Sequence, residues 1–183
     1  MNAFNFSVIL FVFALSGCTK TNTTIPASTK NIRGNSSANV LYIVPVKFTE
    51  NLKVRDAVRV ECQLLTKLSE FIKRAAKPQY SSIELQESKA KNIDVLTVEI
   101  VDLPNFKKNI WIGRGGQWVG VKGSLSRQGQ KTVSFTAMRS SMGGFLGAYK
   151  GTCALLGRCT KTLGADIAGW LKNPLDNAQL GDQ

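Results

Sequence analysis

Read for apolar positions, the chain opens on one dense block. Ser7 to Leu15 is almost wholly apolar. A bilayer span needs ~20 such residues, so this run has instead the length of a signal-peptide core. Residues 19–38 then turn to Thr, Ser and Asn with little to bury, the composition of a flexible tether. As a coil that segment spans ~25 Å on average, and it reaches ~70 Å at full stretch.

From Asn39 onward the pattern is that of a folded domain. Val40 to Phe48 is apolar and β-branched, hence a strand, with Pro45 marking an edge or a bulge. A helix begins between Asp56 and Cys62. Its apolar face is Val58, Cys62, Leu65, Leu68, Ile72 and Ala75, at steps of three and four, and Pro78 ends it. Ile93 to Val101 forms a second strand. Val119, Val121 and Leu125 alternate in a third, Arg127 to Gln130 makes a turn, and Val133, Phe135 and Ala137 alternate in a fourth. Leu156, Cys159, Leu163, Ile167 and Trp170 share one face of a last helix, which Pro174 closes off. A short strand around Trp111 fits residues 109–116, while residues 79–92 carry no assignable pattern. The order β-α-β-β-β-α predicts an α+β fold, a single mixed β-sheet covered by two helices. The expected divisions are a signal peptide at 1–17, a lipidated cysteine and tether at 18–38, the domain at 39–172, and a polar tail at 173–183. Counting directions through this order makes the two helices parallel, both starting at one end.

The segment Leu15-Ser-Gly-Cys18, placed just behind the apolar core, resembles the lipobox of bacterial lipoproteins. It departs from the pattern in having no Lys or Arg before the core. The resemblance implies cleavage before Cys18 and lipid on that residue. Thr19, where an Asp would favour inner-membrane retention, implies the periplasmic side of the outer membrane. The run from Gly144 to Leu171, with Ser134 to Ser141 before it, is similar to the C-terminal part of proteobacterial lipoproteins of no established activity. In plan these resemble the small α/β domains of periplasmic accessory lipoproteins, including the one in the curli secretion channel. The resemblance implies a compartment and a fold, and no functional residue beyond Cys18.

Candidate chemistry is sparse. The chain has no histidine, which removes the commonest general base and most zinc sites. No Cys-x-x-Cys pair occurs, and Gly113 to Gly116 lacks the Gly-Lys-Ser/Thr of a phosphate loop. Glu84, Glu87, Asp94, Glu99 and Asp102 lie around one strand; a paired acid/base site for sugar hydrolysis is one reading, a solvated strand edge the other. The expectation is a non-enzymatic protein with no cofactor and no metal. Gly143, Gly147 and Gly151 sit four apart, as a packing stripe in a helix or, the favoured reading, as a glycine loop feeding the last helix. Trp111, Trp118 and Trp170 fit a binding surface less well than a partly buried core.

Charge changes the picture more. The chain carries 24 basic and 12 acidic residues, a net +12. From Leu103 to Ala165 there is no acid, against ten cations. Lys122, Arg127, Lys131 and Arg139, in two consecutive strands or their turn, are the candidate basic binding face for an anionic envelope component or an acidic protein. Nucleic acid does not fit an exported chain. Export also places Cys62, Cys153 and Cys159 in an oxidising compartment. The direction count favours a Cys62–Cys153 bridge, with Cys62–Cys159 next. Cys153 and Cys159, ~9 Å apart along one regular helix, are too far apart to bridge. The sequence thus predicts a membrane-anchored accessory or docking lipoprotein of the cell envelope, or alternatively a structural subunit of an envelope pore or secretion complex. It sets no oligomeric state.

Overall fold

A computed structural model describes residues 40–85, 93–104, 116–143 and 151–182. Strands β1 (Val40–Ile43) and β2 (Lys47–Phe48) lead to helices α1 (Asp56–Glu61) and α2 (Leu64–Ala76). Strands β3 (Ser82–Leu85), β4 (Asp94–Asp102), β5 (Gly116–Ser126) and β6 (Val133–Met142) follow, then helix α3 (Thr152–Leu171) and strand β7 (Ala178–Gly181). The fold is α+β, with one mixed sheet in the order β3-β1-β4-β5-β6-β7 and β2 also pairing with β4. β4, β5 and β6 form the antiparallel centre. Parallel strands are added outside it: β1 beside β4 and β3 beside β1 on one flank, β7 beside β6 on the other.

Four sequence expectations change in detail. The first strand is two pieces, β1 and β2, which both pair with β4 on either side of a break at residues 44–46. Pro45 lies in that break. The first helix is also two pieces, split at Gln63, whose backbone is left-handed (φ 52°). That conformation costs a non-glycine residue about 1–2 kcal/mol. The turn lets Val58, Cys62 and Leu64 all be buried. The unassigned stretch contains β3, and the residues expected to form a polar tail contain β7.

The core lies between one face of the sheet and α2 with α3. Leu96, Val98 and Ile100 of β4 meet Val119, Val121 and Leu125 of β5, with Phe135 and Ala137 of β6 beside them, all buried. Phe135 lies over Gly123, where a Cβ would collide with its ring, and packs against Trp170 with ring centroids 4.6 Å apart. The helices run in parallel and touch along their length. Cys62 is bonded to Cys153 at their starts. A Cβ on Gly164 would lie 2.6 Å from Cβ of Phe71 and 2.9 Å from its carbonyl carbon. Near their ends Gln79 Nε2 donates to the Ala168 carbonyl at 2.7 Å.

Gly164 is thus a contact point between helices, whereas a Cβ on Gly157 in the same helix meets nothing within 4 Å. Gly164→Val should destabilise the fold by about 1–3 kcal/mol through overpacking. Gly157→Ala should stabilise it by roughly 0.5–1 kcal/mol. Denaturant titration of both variants checks the contrast.

Candidate functional site

Side chains alternate across the strands, so the sheet has a second face, away from the helices. Thr97 and Glu99 of β4, Lys122 and Ser124 of β5, Ser134 and Thr136 of β6 and Gln179 of β7 share it by register. They line a shallow depression of about 550 Å³. An irregularity between Ile100 and Asp102 brings Asp102 opposite Gly120, and Asp102 accepts a hydrogen bond from Trp118 Nε1 at 2.9 Å. An antiparallel sheet with one polar, solvated face is stable without a second layer.

The candidate basic residues do not form one face. Lys122 stands on the open side of the sheet, while Arg139, in register with buried Val119, reaches Asp166 of α3 on the helix side at 2.8 Å. Each of the four also has a carboxylate partner. Lys122 pairs with Glu99 (3.1 Å), Arg127 with Asp94 (2.9 Å), and Lys131 with Asp176 (2.9 Å). Arg139 binds Asp182 (2.7 Å) in addition to Asp166. These four cations of the acid-free stretch are therefore neutralised by acids from β4 and from the residues after 165, which the fold brings alongside, whereas Arg158 and Lys161 of α3 are exposed and pair with no described carboxylate. Lys107, Lys108, Arg114 and Lys150 lie outside the described residues.

The described carboxylates around β4 divide between the two faces of the sheet, with Glu99 and Asp102 both on the open side. Asp94 falls on the helix side, where it accepts from Arg127 Nε and from Tyr80 Oη at 3.3 Å. Burial, then the nearby Asp94 charge, raises the Tyr80 pKa. Glu99 is on the open side, held below the usual carboxylate range by Lys122 first, with Lys47 adding to it. Glu84 accepts from Ser82 Oγ, and Glu87 is outside the described residues. Among the described residues no group of three or more His, Cys, Asp or Glu could hold a metal. The arrangement suits binding by hydroxyl, amide and paired charge.

Two matched clamps, missed by the hydrophobic pattern, hold β7 in register. Asp176 Oδ1 accepts from the backbone N–H and the hydroxyl of Ser134 (3.0 and 2.9 Å), while its other oxygen takes Lys131. Asp182 Oδ2 accepts the same two groups of Ser140 (2.8 and 2.9 Å), while its other oxygen takes Arg139. The two acids are six residues apart and so are the two serines, as parallel strands require; that shared interval is the available sequence signal. Just before the first clamp, Trp170 Nε1 donates to the Leu175 carbonyl at 3.0 Å.

Cys62 and Cys153 form the disulfide, with Cα atoms 4.8 Å apart. This is the first of the two expected pairings. Cys159 is free and buried, its thiol within reach of the Gln117 carbonyl. Burial foremost pushes its pKa up to about 11. Gly151 stands at the N-cap of α3 and Gly143 just after β6; Gly147 lies outside the described residues, as do Trp111 and the whole of 1–39, including Cys18. Trp170 is in the core. No described helix is long and apolar enough to cross a membrane.

No protein-family model and no curated protein sequence matches the chain. Solved structures do share the arrangement. A protein described only as uncharacterized aligns with 15% identity over 73% of this chain and 93% of its own, at a TM-score of 0.51. A DUF330 protein from Xanthomonas campestris aligns with 11% identity over 72% and 82%, at 0.47. A minor lipoprotein from Acinetobacter baumannii aligns with 18% identity over 78% and 97%, at 0.39. The first likeness shows a common fold and nothing of function; the other two are too loose to carry an inference.

Acid should release β7 before it unfolds the sheet centre. Asp176 is lowered to about 2, first by Lys131 and then by Ser134. Asp182 is lowered too, by the Ser140 N–H, its hydroxyl and then Arg139. A carboxylate with a depressed folded pKa stabilises above its unfolded value, and that contribution disappears as pH falls through the folded value. Hydrogen exchange of the β7 amides should therefore accelerate between pH ~4 and ~2, while β4 to β6 stay protected. Asp176→Asn with Asp182→Asn should release the strand at neutral pH.

Proposed function

We propose that the chain is a non-enzymatic accessory lipoprotein of the bacterial envelope, anchored through lipid on Cys18 and facing the periplasm from the outer membrane. Leu15-Ser-Gly-Cys18 behind a short apolar core supports the anchor. The observation that carries the reading is the Cys62–Cys153 disulfide, set between the starts of α2 and α3 with Cys62 fully buried. Such bridges persist in oxidising compartments, so this domain core is suited to a chain that leaves the cytosol. The polar open face of the sheet, with Glu99 committed to Lys47 and Lys122 and Asp102 to Trp118, favours docking over catalysis.

Two measurements test this. Intact mass of the chain from its membrane fraction should show cleavage before Cys18 and acyl chains on it. Cys18→Ser should remove both the added mass and membrane association; retention of membrane association by a Cys18→Ser chain, with no acyl mass on the wild type, would overturn the anchor. Non-reducing peptide mapping should yield a Cys62–Cys153 peptide. The bridge closes a separation of 91 residues, worth ~4.5 kcal/mol in the chain-entropy model, so replacing both cysteines with Ala should cost roughly 2–5 kcal/mol in chemical denaturation.

A further inference from the structure

The register places many element ends together. β1, β3, β4, β6 and β7 all begin, and β5 ends, at the same end of the sheet. Ala76 closes α2 six residues before Ser82, the partner of Val40, so α2 also ends there. The Gln79–Ala168 hydrogen bond brings the end of α3 to the same place.

Lys73, Arg74, Lys77 and Lys172 cluster on these two helix ends, and none forms an ion pair with a described carboxylate. Arg127 and Lys131, also at this end, pair with Asp94 and Asp176, and exposed Glu70 lies one turn before Lys73 and Arg74 in α2. Lys73 and Arg74 complement the carbonyl end of α2. Lys77 and Lys172 stand beyond regular helix and are exposed. The chain from Cys18 also enters the domain at this end, through Val40.

We infer that this end of the domain docks on anionic lipid headgroups of the membrane to which the chain is tethered. The inference rests on the anchoring reading above, which supplies the surface. Basic residues near an anionic surface gain about five-fold in binding each. A tether of ~25 Å mean span keeps the surface at high effective concentration, so weak contact suffices. This end would then face the bilayer and the starts of α2 and α3 would point away from it.

Acetylation rates of single lysines test it on the full chain purified from membranes. The chain is mixed with vesicles of phosphatidylcholine alone or of equal parts phosphatidylcholine and phosphatidylglycerol. On the anionic vesicles Lys77 and Lys172 should react about five-fold more slowly, with Lys53 at the opposite end unchanged. Salt that shortens the screening length to ~3 Å should erase the difference. In a Lys77→Glu, Lys172→Glu chain, Lys73 should return to its neutral-vesicle rate. Equal rates on both vesicles, equal slowing of Lys53, or protection of Lys73 that survives the double reversal overturns the inference. Acyl mass on Cys18, read from the same sample, decides the anchor separately: protection without acyl mass supports docking and defeats anchoring, and acyl mass without protection does the reverse.

Discussion

The parallel contact between α2 and α3 is the constraint on which the rest of this structure depends. Each helix belongs to a crossover between parallel strands, β1 to β3 for α2 and β6 to β7 for α3. Such crossovers have one favoured hand, and here both helices meet over the same face of the sheet. They fit side by side because Gly164 has no side chain at the point of closest approach to Phe71 and Ile72. The disulfide joins their starts, and Gln79 ties their ends. A larger residue at 164 would push α3 off α2 and with it the Trp170–Phe135 contact that covers Gly123.

Long elements were legible in the sequence because burial imposes a period on them. Leu68 and Ile72, or Leu156, Cys159, Leu163 and Ile167, recur at helical steps because one face is sealed against the sheet. β4, β5 and β6 alternate for the corresponding reason. β3 and β7 are four residues each, too short for alternation to be distinguished from chance. β7 is positioned chiefly by carboxylates capping serine N–H groups, and a hydrophobicity pattern has no term for that. The break at Gln63 was hidden because α1 and α2 share an uninterrupted apolar spacing across it.

The basic stretch shows how linear charge misleads. The 63 residues from Leu103 to Ala165 without an acid suggest an unneutralised face, yet Lys122, Arg127, Lys131 and Arg139 each find a carboxylate from another part of the chain. Antiparallel pairing sets β4 acids opposite β5 cations, and the parallel return of β7 delivers Asp176 and Asp182 to β6. The lipobox resemblance, by contrast, rests on a local segment, where sequence order and chemistry coincide, and it lies outside the described residues. The disulfide lay between these cases: topology brought the two helix starts together, and only Cys62 and Cys153 stood there.

The shared position of the two helix ends follows from that same topology. Parallel crossovers send both helices back antiparallel to β1 and β6, so both carbonyl ends finish where those strands begin. Cations are favoured at helix C-termini, and Lys73, Arg74, Lys77 and Lys172 occupy that place. The first strand begins there as well, so the segment preceding β1 joins the domain at this end. The position of that segment and that of the helix ends are two consequences of one connectivity. Reversing the charge at Lys77 and Lys172 would leave the crossovers and the core intact, which makes orientation at a surface separable from folding.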